Sequence, residues 1–172
     1  SKTVKERLLI LNSVEKIIFV SQWVRDRFFL DLDEKLKTKT EIVYPSVNKQ
    51  KPVKKNKLIT FVGRLNSSKG YDIFGKAVLK IFEKYDDWKG VVIGDEPREK
   101  IIFSHKRLSI LGFLDHKKVS NWFIKSEIAV VCSRWQEPFG RTAMESAAFG
   151  CATVTSKKGG LPETFENSLF IN

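Results

Sequence analysis

Two acids, Glu137 and Glu145, stand eight positions apart in the segment EPFGRTAME, between an apolar run and an Ala-rich run. A helix that begins near Gly140 places Glu145 about one turn inside it, at roughly 3.6 residues per turn. Both carboxylates can then face one cleft and accept hydrogen bonds from sugar or ribose hydroxyls. The free N–H groups at the helix start suit a phosphate. The alternative is an exposed Glu137 and a surface Glu145 paired with a lysine.

A second segment, FVGRLNSSKGYD (61–72), carries two cations between an apolar strand-like run and an amphipathic run. Arg64 and Lys69, with Gly63 and Gly70 beside them, form a pattern that suits a diphosphate near a helix N-terminus. The pattern is neither a Walker A loop nor the G-x-G-x-x-G fingerprint. The alternative is that both cations are ordinary solvated loop residues.

A third segment, SKKGGLPET (156–164), follows an apolar run. Gly159 and Gly160 permit close approach of the backbone to a ligand. Pro162 favours the first position of a short helix, which places Glu163 in its first turn. A single Gly-Gly turn is weak evidence, so this loop gains weight only beside the other two.

Strand-like and amphipathic segments alternate along the chain, which predicts an α/β fold: a Rossmann-like parallel sheet with helices on both faces. Ligands of such sheets bind outside the carboxyl ends of the strands, where the three segments above fall. Helices are predicted over 71–85, over 116–126 and over 141–150. The residues predicted to be buried are Phe74, Ala77, Val78, Ile81, Phe82 and Tyr85 in the first helix and Val119, Trp122 and Phe123 in the second. The predicted strands are KIIFV (16–20), KLITFVG (57–63), KGVVIG (89–94), RLSILG (107–112), EIAVVCS (127–133), CATVTS (151–156) and SLFI (168–171).

Charge and composition divide the chain of 172 residues. Residues 1–57 hold 14 Lys+Arg and 7 Asp+Glu, or +7 of the net charge of +11. We interpret residues 1–48 as the tail of a preceding N-terminal domain with an interdomain segment, and 49–57 (KQKPVKKNK) as a solvated basic linker. Residues 58–172 are then a ligand-binding domain that is truncated at its C-terminus, so we infer a piece of a longer protein.

Three motifs in this order are G-R-L-x-x-x-K-G, E-P-F-G-x-x-x-x-E-x-x-A-x-G and G-G-x-P-E. Together they resemble the donor-binding half of GT-B glycosyltransferases of family 4 over residues 58–164. The earlier segment IIFVSQWVRDRF…EIVYPSVN resembles the interdomain segment of that family. The resemblance implies transfer of a sugar from a nucleoside diphosphate with retention of anomeric configuration. It implies no metal or other cofactor.

Residue by residue, the resemblance implies that Arg64 and Lys69 bind the donor diphosphate and that Glu137 binds hydroxyls of the transferred sugar near its anomeric carbon. These three would be the catalytic residues. Glu145 would hold the ribose hydroxyls. The other implied donor-binding residues are Gly94, Leu111, Gly112 and Phe113 around the base, and Gly63, Phe139, Gly140, Arg141, Gly159 and Gly160 around the sugar and phosphates.

The family takes its acceptor-binding surface and an active-site histidine from an N-terminal domain that this chain largely lacks. We therefore expect a donor-binding domain that is inactive alone, whose parent enzyme serves a glycan or lipid-linked acceptor. Alternatives are a sugar phosphorylase or synthase that shares this half, and a degenerate glycosyltransferase used as a scaffold. An RNA-binding domain is disfavoured, because the aromatic residues fall on core stripes instead of alternating with basic residues on one face.

The remaining features argue against a membrane-spanning segment and against a metal site. No apolar run approaches the roughly 18 residues that span a bilayer, so we expect a cytoplasmic protein. Its basic tail and linker are compatible with peripheral attachment to the inner face of a membrane. Cys132 and Cys151 lie in apolar runs and are predicted to be buried thiols. The D-x-D at Asp31–Asp33, His105 and His116 lack the spacing of a metal site.

Overall fold

The computed structural model describes residues 2–51, 53–165 and 167–171 and divides the chain into two compact units, Ser1–Ser46 and Val47–Asn172. The first unit contains helix α1 (Lys2–Ser13), strand β1 (Ile17–Phe19), helix α2 (Gln22–Phe29) and strand β2 (Thr40–Ile42). Strands β1 and β2 are parallel, and a small core of Leu11, Phe19 and Phe29 holds the unit together. Helix α1 was not predicted, because its apolar residues form a continuous run instead of a clear stripe.

The second unit is built on a six-stranded parallel sheet with the order β5-β4-β3-β6-β7-β8. All six strands were predicted. Because β3 pairs with β4 on one side and β6 on the other, the strand order reverses at β3. Their bounds are β3 Asn56–Val62, β4 Lys89–Ile93, β5 Leu108–Ile110, β6 Ser126–Val131, β7 Ala152–Ser156 and β8 Leu169–Ile171.

Helices cover both faces of this sheet, as predicted. Helix α3 (Tyr71–Lys84) buries Phe74, Val78 and Phe82 against one face. Helix α4 (His116–Lys125) buries Val119 and Phe123 against the other face, and α5 (Arg141–Ala148) packs beside α4. The apolar clusters on the two faces provide the hydrophobic stabilisation of the unit.

Three residues that were predicted to lie on the buried faces of helices are not fully buried in the structure. Ala77 and Tyr85 were assigned to the buried stripe of α3, but both are exposed. Tyr85 follows the last helical residue, so it no longer lies over the sheet. Trp122 of α4 is only partly buried. Indole is large enough to cover the rim of a core while its edge stays in water.

The amino end of the sheet overlaps the segment that was interpreted as a solvated linker. Strand β3 begins at Asn56, inside the predicted linker of 49–57. The Nζ of Lys55 donates hydrogen bonds to the carbonyl oxygens of Phe123 (2.9 Å) and Phe149 (2.5 Å), at the ends of α4 and α5. Burial lowers the pKa of Lys55. The solvated interpretation was therefore wrong for this lysine, which ties two helix ends to the sheet.

Candidate functional site at the carboxyl end of the sheet

A close ion pair joins the loops that follow β3 and β6. The Nζ of Lys69 lies 2.5 Å from Oε1 of Glu137, and the two side chains are 24% and 15% exposed. The two loops meet because β3 and β6 are neighbours and end at the same edge of the sheet. Two residues 68 positions apart in the sequence thus form one charged pair at the strand ends.

The loop that carries Lys69 is held by its own hydrogen bonds. Asn66 is buried and caps a short 3₁₀ helix (Ser67–Lys69), because its Oδ1 accepts from the N–H of Lys69 at 3.0 Å. Its Nδ2 donates to Oε2 of Glu96 at 3.1 Å. Asn66 was not predicted to belong to the site, although an N-cap residue type precedes the short helix in the segment N-S-S-K.

An arginine in the loop that follows β6 holds the same segment from the other side. The guanidinium of Arg134 donates to both carboxylate oxygens of Asp72, at 2.6 and 2.8 Å, and to the carbonyl oxygen of Ser67 at 2.6 Å. The guanidinium also holds the pKa of the Asp72 carboxyl below its usual value. No motif in the sequence distinguishes Arg134 from an ordinary surface arginine, so it was not predicted.

Three of the predicted glycines lie together across the ends of β3, β4 and β5. Gly63 donates its N–H to the carbonyl of Ile93 (3.0 Å), and Gly94 donates to the carbonyl of Gly112 (2.8 Å). Gly94 has φ 136°, and a Cβ there would lie 1.9 Å from the oxygen of Gly63. A side chain at Gly94 would therefore collide with the neighbouring strand end, which explains the glycine.

A cavity of about 280 Å³ opens beside these glycines. Arg64 lines it, is exposed, and makes no side-chain hydrogen bond or ion pair within the described residues. Phe113 also lines the cavity and is 77% exposed. Leu111 lies apart from this lining and packs against the apolar cluster beneath α4. The cavity thus combines an available cation with an exposed aromatic ring.

The third predicted loop joins the site through the backbone of Glu137. Gly159 forms a parallel bridge with Glu137, and the N–H of Gly160 donates to the Glu137 carbonyl at 2.7 Å. A Cβ on Gly159, whose φ is 64°, would lie 2.2 Å from that carbonyl oxygen. The Gly-Gly pair therefore permits close approach of backbone to backbone, and through it the loop after β7 supports Glu137.

The turn into α5 is tightly packed. Gly140 has φ 130°, and a Cβ there would lie 2.5 Å from the side chain of Leu161. Phe139 is buried, and its carbonyl accepts from Oγ1 of Thr164 at 2.9 Å. These contacts fix the first N–H groups of α5 at the same edge of the sheet as Lys69 and Glu137.

Glu145 lies in the buried part of this helix with its side chain 12% exposed. Its Oε1 is 3.2 Å from Nη2 of Arg141 and 3.4 Å from Nε2 of His116, which begins α4. The alternative of a surface Glu145 paired with a lysine is thus wrong. His116 was not predicted to belong to the site, because only the packing of α4 against α5 brings it there.

Several other predictions concern the thiols and the residues that could bind a metal. Cys132 and Cys151 are buried free thiols, as predicted, and burial raises the pKa of each to about 11. Asp33 caps a short 3₁₀ helix through the N–H of Lys35. Within the described ranges, no three His, Cys, Asp or Glu side chains are grouped so that they could hold a metal ion. Those ranges also contain no helix long and apolar enough to cross a bilayer.

This parallel sheet, with its strand reversal at β3 and its loops at the carboxyl end, is the fold of GT-B glycosyltransferases. The family model described as Glycosyl transferases group 1 matches residues 45–169, and the chain belongs to this family. Among curated proteins, it is similar to the GPI3 subunit of phosphatidylinositol N-acetylglucosaminyltransferase of Saccharomyces cerevisiae, with 30% identity over 130 residues, which are 72% of this chain and 28% of that protein. The Homo sapiens protein named for the same transferase is 30% identical over 120 residues, 66% of this chain and 25% of that protein.

Solved structures agree on the fold. HepE of Anabaena in complex with UDP-glucose superposes with a TM-score of 0.70 at 19% identity, over 92% of this chain and 50% of that one. A glycosyltransferase of Rickettsia africae gives 0.76 at 20% identity, over 99% and 52%. The chain thus spans about a quarter of the curated relatives and about half of these structures.

Proposed function

We propose that this chain is the donor-binding part of a retaining glycosyltransferase and that it holds a nucleoside diphosphate sugar at the carboxyl end of its sheet. The observation that carries the proposal is the joining of three loops at Glu137. Lys69 pairs with its carboxylate, and Gly159 and Gly160 bond to its backbone. Motifs that are dispersed in the sequence therefore converge on one set of cations, acids and backbone N–H groups.

The charges suit a reaction in which a diphosphate departs. A glycosyl transition state resembles an oxocarbenium ion, and negative charge grows on the leaving diphosphate. Arg64 has no side-chain partner among the described residues, and the partner of Lys69 is a carboxylate that a bound donor would engage instead. These two cations would stabilise the leaving group. A metal ion is not part of the proposal.

The acids would hold the sugar and the nucleoside. Glu137 would accept hydrogen bonds from hydroxyls of the transferred sugar once Lys69 turns to the phosphates, with the N–H groups from Phe139 to Arg141 alongside. Glu145 would accept from the ribose hydroxyls. The base would lie in the cavity beside Phe113, whose exposed ring offers a stacking surface. The motifs do not distinguish UDP, GDP and ADP donors.

The acceptor belongs to a part of the enzyme outside this chain. We propose a glycan or lipid-linked acceptor, since the similar yeast and human proteins are named for glycosyl transfer to phosphatidylinositol. A cytoplasmic location with attachment to the inner face of a membrane fits such an acceptor and the net charge of +11. The chain alone would bind donor without turnover.

Calorimetric titration with UDP, GDP and ADP, each beside its mononucleotide, tests the donor site. We expect one diphosphate to bind more tightly than its mononucleotide. Arg64→Ala and Glu145→Ala should each weaken that binding about tenfold, or about 1.4 kcal/mol. Lys80→Ala is the matched control, because it removes one exposed charge on α3, away from the strand ends.

Unchanged affinity in both site variants would contradict the proposal. Equal loss in Lys80→Ala would mean that only the general positive charge of the domain attracts the nucleotide. Binding of mononucleotide and diphosphate with the same affinity would remove the assigned role of Arg64 and Lys69. Retention is tested separately, by NMR of the anomeric proton in the product of the whole enzyme.

A further inference from the structure

The environment of Glu145 contains an imidazole that the donor-binding motifs do not include. His116 is the first residue of α4, its side chain is 64% exposed, and its Nε2 lies 3.4 Å from Oε1 of Glu145. Arg141, from α5 itself, reaches the same oxygen at 3.2 Å. Nitrogen atoms from two helices thus lie within 3.4 Å of one oxygen of a carboxylate that is only 12% exposed.

This arrangement leaves the second oxygen of the carboxylate available. Within the described residues, Oε2 of Glu145 accepts no hydrogen bond, whereas Oε1 faces both His116 and Arg141. A carboxylate oxygen in this state remains an acceptor for ligand hydroxyls. Holding one oxygen reduces the rotational freedom of the side chain, and such preorganisation improves affinity.

Histidine is the side chain whose charge ordinarily changes between pH 5 and 8. The charged groups beside the imidazole are Glu145 and Arg141 from α5. On its own helix, Asp115 and Lys118 form an ion pair with each other at 3.2 Å. Arg64 and Asp95 line the neighbouring cavity. Protonation of His116 would therefore add a cation beside Glu145, close to the guanidinium of Arg141.

We propose that His116 is a positioning residue for Glu145 and that its protonation tightens the binding of nucleotide sugars. The inference rests on the proposed donor site and adds a pH dependence to it. The imidazolium would hold Oε1 more firmly and add positive charge to the site that binds the anionic donor. Both effects favour binding of the nucleotide sugar, so the affinity of the chain for its donor should rise as the pH falls.

The first test measures the contact without any ligand. The chain has two histidines, and His105 lies elsewhere, with its Nδ1 accepting from the N–H of Arg107 at 3.1 Å. In Glu145→Gln, the imidazole NMR resonances of His116 should move while those of His105 stay in place. Unmoved His116 resonances would overturn the contact, whatever the protein binds.

The second test measures affinity for UDP-glucose, GDP-mannose and ADP-glucose at pH 8 and pH 5.5, because their phosphates keep a constant charge over this range. The wild-type chain should bind its donor about threefold more tightly at pH 5.5. His116→Gln keeps an N–H donor but takes up no proton, so its affinity should be independent of pH. His116→Ala should bind about fivefold more weakly at both pH values.

The outcomes separate the two proposals. An unchanged pH dependence in His116→Gln would overturn the role of His116 while leaving the donor site intact. Absence of binding by the wild-type chain to all three sugars would contradict the proposed function and the affinity effect together, and the NMR test would still decide the contact. Thermal unfolding of His116→Ala and His116→Gln distinguishes lost positioning from a loosened α4.

Discussion

Lys55 and Lys69 lie at opposite ends of the same sheet, and both are partly buried. Lys55 donates to two backbone carbonyls at the ends of α4 and α5, whereas Lys69 pairs with the carboxylate of Glu137. Backbone acceptors are permanent parts of the fold. A carboxylate partner can be exchanged for a phosphate when a ligand arrives. Partner type, more than burial, thus distinguishes Lys55, which is bound to the backbone, from Lys69, for which we propose a role in ligand binding.

The glycines extend this contrast to the backbone. At the carboxyl end, Gly94 and Gly159 sit where any Cβ would collide with a neighbouring carbonyl oxygen. At the amino end, Gly150 follows α5 with φ 80° and has only the side chain of Lys55 near its Cβ position, at 3.5 Å. The carboxyl end therefore needs glycine for close packing of its loops, and the amino end needs it for a helix stop.

The largest effect is expected from Gly94→Ala. The new Cβ would lie 1.9 Å from the Gly63 oxygen at a φ of 136°, so the strand ends would have to separate. We expect a loss of about 3 kcal/mol or more in the free energy of unfolding. Gly112→Ala is the control, because its φ is 69° but nothing lies within 4 Å. It should cost about 1 kcal/mol in chemical denaturation, and equal losses would contradict the collision.

Lys55→Met tests the amino end. The carbonyl oxygen of Phe149 would lose its Lys55 donor, whereas that of Phe123 also accepts from the N–H of Ser126 and the Sγ of Cys151. The free energy of unfolding should therefore fall by about 1–3 kcal/mol. Nucleotide affinity should stay within about twofold of the wild type, since this end is remote from the site. Denaturation and calorimetry on the same preparation measure both quantities. A large loss of nucleotide affinity in the folded fraction of the variant would show that the two ends of the sheet are coupled.

Lys69→Met is the reciprocal experiment. Diphosphate affinity should fall about tenfold, because a charge-assisted contact to the phosphates disappears. Stability should fall by about 1 kcal/mol or less, since the buried backbone of the loop stays bonded through Asn66. If Lys69→Met lost as much stability as Lys55→Met and no affinity, the functional interpretation of the Lys69–Glu137 pair would be wrong.

The smallest effect concerns the two thiols, one near each end. Burial raises the pKa of Cys132 and of Cys151 to about 11, above the usual value of 9.0. The folded state keeps these protons to higher pH than the unfolded state, so their contribution to stability is present below about pH 9 and is lost as the pH rises towards 11. At pH 8 neither thiol should react with a disulfide reagent until guanidinium unfolds the chain. Rapid reaction of one thiol in the native protein would identify an end that opens.

Much of the second unit could be predicted from local pattern. The six strands and helices α3, α4 and α5 follow from apolar periodicity, and the stop at Gly150 follows from helix capping. The errors have local causes too. Ala77 is small enough for either environment, and Lys55 resembles its lysine-rich neighbours. Helix α1 lacks the amphipathic stripe on which the prediction of α3 rested.

Residue types and their order in the sequence determined that Arg64 and Lys69 belong to one strand-to-helix loop, because that loop follows a recognisable strand. In the same way they placed Glu137 in the loop after β6 and Glu145 in the helix that follows it. Only the tertiary structure decided their partners. The Lys69–Glu137 pair depends on β3 lying next to β6, and the approach of His116 to Glu145 depends on α4 packing beside α5. Apolar periodicity depends on residues that are close in the sequence. The Lys69–Glu137 and His116–Glu145 contacts depend instead on which strands and helices lie side by side, and packing between segments that are distant in the sequence determines that arrangement.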